Sequence, residues 1–146
     1  MNTTKQKSIY LTGLVLTALW FGSSGLFEIT RNPLVWNKTI ALGYPAYFIT
    51  TLGIAKLLGV LILILPTRKG IFWLKEWVFA GLFFDIFFAT VSGCAVFGAS
   101  DLLPPIIAFL MVMTTYLMFR KHNYVSTSGE PQVNGRNIHG PNIKLD

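Results

Sequence analysis

Lys56 and Asp85 interrupt two otherwise apolar runs, Ala46–Leu65 and Trp77–Ser100, and are the first candidates for chemistry. Either charge alone at the centre of a membrane helix costs about 2.5–3.5 kcal/mol. The two are opposite in sign and stand on consecutive runs joined by a short turn. They are expected to face each other as an intramembrane ion pair near the midplane. Such a pair can serve as a proton relay or substrate anchor, or simply as a salt bridge that fixes helix register. Glu28, Glu76 and Ser92 are further candidates for lining a site. Glu28 ends the first run, with Arg31 as the cation at hand. Glu76 opens the third run, where the helix dipole favours a carboxylate.

Several chemistries lack their residues. His122 and His139 both fall near the C-terminal end, so no run offers axial ligands to a haem. No group of His, Cys, Asp and Glu has metal-ligand spacing, so no metal site is expected. Ser23, Ser24 and Ser92 have no histidine at membrane depth, which argues against a serine triad. The single Cys94 excludes an internal disulfide and a CxxC pair. The 12 phenylalanines could frame a quinone pocket, although packed or lipid-facing rings are the plainer reading. The residues therefore name no catalytic group and no cofactor, and they lean against an enzyme.

The elements that must hold these residues follow from composition. Of 146 residues, 53% are hydrophobic and 12% charged, against about 25% charged in an average soluble domain. Mean hydropathy is +0.57. That much apolar surface belongs in lipid, which excludes soluble enzymes and nucleic-acid binders despite the net charge of +6. A membrane helix needs about 20 apolar residues, and four runs qualify: 8–27, 46–65, 77–100 and 102–119. None alternates as a barrel strand does, so the fold class is all-α, a four-transmembrane-helix bundle over residues 1–119. The first run is too long for a signal h-region of about 7–15 residues, and no A-x-A site follows it. Residues 28–45 form the longest connection and suit a short reentrant or interfacial segment. Residues 120–146 read as a flexible tail. Lys5, Lys7, Arg68, Lys69, Lys75, Arg120, Lys121, Arg136 and Lys144 share one side, with Arg31 and Lys38 on the other. That asymmetry places both termini in the cytoplasm.

Small residues surround the intramembrane charges. Gly53 and Gly59 flank Lys56 at helical spacing, and Gly81, Asp85, Ala89 and Ser92 form a stripe on the third run. With the segments LGYPAYF (42–48), GIAKLLG (53–59), LKEWVFAG (74–81), the Phe84–Asp85 pair and FGSSGLFE (21–28), the chain resembles the DoxX-like family of small four-helix membrane proteins. The family pattern has histidine after the serine matching Ser92, where this chain has Gly93. The resemblance implies a helical bundle in a bacterial cytoplasmic membrane but no single activity. Three functions are open: a non-enzymatic accessory or assembly partner of other membrane proteins, a quinone-binding accessory subunit of an oxidoreductase, and a small proton-coupled transporter. The first is the leading expectation, with the lipid bilayer and another membrane protein or a second copy of the chain as partners, and no nucleic acid.

Overall fold

The computed structural model describes residues 3–67 and 69–128. These residues form α1 (Thr3–Ile29), α2 (Pro33–Ala41), α3 (Ala46–Ile64), α4 (Lys69–Phe97), a 3-10 turn (Gly98–Asp101) and α5 (Leu103–Ser128). Four of the helices, α1, α3, α4 and α5, are long and apolar enough to cross a membrane. At about 1.5 Å per residue, the 27 residues of α1 extend about 40 Å. Away from their ends, helices satisfy their backbone groups internally, which is what a lipid environment demands. The four close into a ring in which α1 packs on α3 and α5, and α4 packs on the same two.

Local sequence sets the breaks. Pro45 caps the start of α3 with extended backbone, and Pro66 follows its end. The nine-residue α2 lies within the expected 28–45 connection. The Asn32 side chain accepts a hydrogen bond from the Leu34 amide at 3.1 Å, and Pro33 takes the first helical position. Positive φ angles bracket α2, 54° at Arg31 and 89° at Gly43. Only the second falls on a residue free of Cβ strain.

The two ends of the bundle differ. At the end holding the start of α1 and the finish of α3, the core is largely aromatic. The Phe119 ring stacks on Phe72 at 5.2 Å and lies 5.5 Å from Phe79 and 6.1 Å from Tyr10. Nearer the middle, the Thr17 and Thr115 hydroxyls meet at 3.2 Å between α1 and α5. The buried carboxylates lie towards the other end, beneath α2.

Two boundaries depart from the sequence reading. The third spanning helix begins at Lys69 rather than Trp77, and α5 continues through Ser128 instead of giving way after Phe119. Arg120 anchors the continuation, lying 3.7 Å from Glu76 Oε1 and donating to Tyr116 Oη at 3.3 Å. The remaining residues of the expected tail, 129–146, lie outside the described residues.

Lys75 lies in this early stretch of α4. Sequence placed it among the charges that orient the chain, yet its side chain is 1% exposed. Its ammonium donates to the Leu63 carbonyl at 2.8 Å, the Leu65 carbonyl at 2.6 Å and Thr67 Oγ1 at 3.1 Å. The two carbonyls are orphans of the end of α3, so Lys75 caps that helix from its neighbour. Removing it still leaves more basic residues on that side of the membrane. Lys75→Met leaves buried carbonyls without donors, at about 1–3 kcal/mol for such a group. Chemical denaturation in detergent micelles should show a loss of about 2 kcal/mol. A loss below about 0.5 kcal/mol would mean that other donors replace the ammonium.

Candidate functional site: a buried charge cage beneath α2

The cage begins where α1 and α3 cross at two glycines. A Cβ on Gly25 would stand 2.9 Å from the Gly53 carbonyl oxygen, and a Cβ on Gly53 would stand 2.8 Å from that of Gly25. Only hydrogen fits between the backbones. Glu28 follows Gly25 by one turn, and Lys56 follows Gly53 by one turn. The helices run in opposite directions, so these two residues leave the crossing in opposite directions as well. Each helical side chain tilts towards its own N-terminus, which leans Glu28 and Lys56 back towards each other.

They meet. Lys56 Nζ donates to Glu28 Oε1 at 2.6 Å and to Ser24 Oγ at 3.3 Å, and it lies 3.3 Å from Asp85 Oδ1 on α4. Glu28 is 3% exposed and Lys56 8%. Two hydrogen bonds and one ion pair thus converge on a single ammonium. Glu28 Oε2 is buried with no hydrogen-bond partner among the described residues.

Ser24, Glu28, Lys56 and Asp85 line a chamber of about 220 Å³. Its walls are largely apolar, and α2 contributes Leu34, Val35, Lys38 and Thr39. At the rim, the half-exposed Lys38 pairs with Asp101 of the 3-10 turn. Gly93 makes that pair possible, because a Cβ there would lie 2.8 Å from Asp101 Oδ2. An exposed pair contributes about 0–1 kcal/mol. Asp101→Asn should therefore leave the melting temperature in detergent nearly unchanged, and a fall of more than about 5 °C would show that the pair holds α2 in place.

The structure thus brings Lys56 and Asp85 together and adds Glu28 as the closer partner. Arg31 does not serve Glu28; its guanidinium lies 5.1 Å from the centre of the Trp36 ring. Glu76 lies away from the chamber, beside Arg120. Ser92 also stands outside the lining, within 2.6 Å of the Tyr44 hydroxyl, and ties α4 to the approach of α3. Gly59 packs against Val78, while Gly81 faces open space. Ser24 was passed over in the sequence because a lone serine carries little signal. A usable one existed in Gly25-x-x-Glu28 matched to Gly53-x-x-Lys56, since each glycine shares a helical face with its charge.

The phenylalanines give a separate feature. Phe83, Phe84, Phe87 and Phe109 line an outward-facing groove of about 810 Å³ between α4 and α5. Its one hydroxyl, on Thr90, donates to the Ile86 carbonyl at 2.7 Å. Among the described residues, no three His, Cys, Asp or Glu side chains gather as a metal site.

The sequence model of the DoxX-like family matches residues 12–115, a stretch that includes the whole cage and both members of the rim pair. No curated protein and no solved structure matches the chain.

Proposed function

The chain belongs to the DoxX-like family, and from its charge cage we propose that it is a small proton-coupled carrier. The observation that carries this reading is that Glu28, Lys56 and Asp85 line a chamber instead of being sealed on every side. A bridge serving only to fix register gains nothing from a cavity beside it. Ionisable groups at membrane depth that border a cavity are the usual furniture of ion and solute pathways. The excess of Lys and Arg at the opposite end supports a topology with both termini in the cytoplasm of a bacterium, so that the chamber faces outward. Reporter fusions at Val35 and Thr127 should then report opposite sides.

Purified protein in liposomes loaded with a pH-sensitive dye should move protons when the external pH is stepped. Val35→Trp, which fills the chamber from α2 without altering the cage, should reduce that movement to the level of protein-free vesicles. Wild-type vesicles that match protein-free ones would remove the carrier reading.

The accessory or assembly reading keeps one supporting observation. Gly53 and Gly59, which it drew upon, are spent inside the bundle, but Gly81 and Ala89 remain exposed on α4. A partner, either another membrane protein or a second copy, would use that stripe. Affinity purification from mild detergent should then retrieve it with the wild type and lose it with Gly81→Leu.

A further inference from the structure

We propose that Asp85 is the group through which the carrier takes up its proton, with Glu28 as a fixed counter-ion that stays on Lys56 throughout. This rests on the chamber being the working site of the carrier.

The first argument is a pairing of charges. Three carboxylates line the chamber, Glu28 on α1, Asp85 on α4 and Asp101 on the 3-10 turn. Two ammoniums face them, Lys38 on α2 and Lys56 on α3, while α5 brings only Pro104, Pro105 and Ala108. Lys38 is engaged by Asp101, and Lys56 holds Glu28 at 2.6 Å. Asp85 is the carboxylate left over, 3.3 Å from an ammonium that already has a nearer partner. A surplus negative charge at membrane depth is costly. One proton on Asp85 removes it and leaves both closer pairs in place.

The second argument is access. A group that exchanges protons must come within hydrogen-bond reach of the donor, directly or through one water. The Asp85 side chain is 16% exposed, against 4% for Glu28. Glu28 Oε1 accepts from Lys56 and Ser24, and its Oε2 is sealed in the protein. At about 30 Å³ per water, the chamber of about 220 Å³ has the volume of about seven waters, enough to bring a proton to Asp85.

The step balances without another reactant. A hydronium ion in the chamber gives one proton to the Asp85 carboxylate and becomes water. The carboxyl group becomes neutral, and the bond from Lys56 to Glu28 persists. A proton on Glu28 Oε1 would instead disrupt the shortest bond of the cage.

Infrared difference spectra of the protein in lipid nanodiscs, recorded as the pH is lowered, test this. The expected change is a carbonyl band at the high frequency of a protonated carboxyl group shielded from bulk water. It should shift when the protein is made with aspartate labelled with carbon-13 in the side-chain carboxyl, and it should vanish in Asp85→Asn. The double variant Asp101→Asn/Asp146→Asn leaves Asp85 as the sole aspartate of the chain and should keep the labelled band, which decides the assignment even if Asp85→Asn does not fold. A band that ignores the label, survives in Asp85→Asn or is lost in the double variant overturns the proposal, as does its absence at every pH at which the bundle is folded. The two readings fail separately. Proton movement at the wild-type rate in Asp85→Asn liposomes removes the role of Asp85 and leaves the carrier. The labelled band without proton movement in wild-type liposomes removes the carrier and leaves Asp85 as the proton-exchanging group of the cage.

Discussion

Lys56→Met is expected to destabilise the bundle more than any other single change in the cage, by about 3–5 kcal/mol in unfolding experiments in detergent. The substitution leaves Glu28 and Asp85 facing each other at depth with no cation between them. Removing one carboxylate is milder because Lys56 keeps the other. Glu28→Leu should nonetheless exceed Asp85→Leu, since Glu28 is both closer to Nζ, at 2.6 Å against 3.3 Å, and more deeply buried. A double-mutant cycle should give a larger coupling for Lys56 with Glu28 than for Lys56 with Asp85. The reverse order would show that the α3–α4 contact dominates. The triple variant Lys56→Met/Glu28→Leu/Asp85→Leu separates stability from function. Replacing a complete buried ion cluster by apolar side chains is often neutral or stabilising. The triple variant should therefore fold at least as well as the wild type yet move no protons in liposomes. Proton movement at the wild-type rate would show that the cage serves packing alone.

The sequence made half of this cage legible. Lys56 and Asp85 stood out because each breaks a long apolar run, and the short turn between the runs put them on neighbouring helices. Glu28 stood out only as a lining candidate with Arg31 as its cation, and its pairing with Lys56 was hidden because a carboxylate at the end of a run ordinarily reaches water. Here α1 ends below the start of α3, and the nine residues of α2 roof what would otherwise be an open end. Lys75 misled for the converse reason. A lysine at the edge of a run normally reaches outward, but the unsatisfied carbonyls at the end of α3 gave it a better partner inside. The extension of α5 through Ser128 was hidden by polar composition, since a helix leaving the membrane no longer needs an apolar sequence. Ser92 shows the limit of face arguments. It shares a helical stripe with Asp85, yet the Tyr44 hydroxyl draws it into a structural bond.

Gly53→Leu is expected to dissolve the cage while leaving every charged residue in place. At Gly53 a Cβ meets backbone, not a yielding side chain, with the Gly25 carbonyl oxygen 2.8 Å away and Glu28 Cβ at 3.0 Å. Backbone cannot turn aside, so α1 and α3 must separate, and overpacking of this kind costs about 1–3 kcal/mol before any bond is lost. Separation also carries Glu28 away from Lys56, which adds the loss of a buried pair. The total should reach about 4 kcal/mol or more, comparable to removing Lys56 itself. Gly25→Leu should match it, because the contact is reciprocal, with the Gly53 carbonyl oxygen 2.9 Å from the added carbon. Gly81→Ala is the control. Nothing lies within 4 Å of its missing Cβ, so the better helix propensity of alanine should leave stability unchanged or raise it by up to about 1 kcal/mol. A double variant, Gly53→Leu with Lys56→Met, decides whether the crossing acts through the cage. If the glycines matter because they deliver Glu28 to Lys56, the two losses overlap and the double variant falls well short of their sum. Strict additivity would mean that the crossing supports the bundle independently of the charges it brings together.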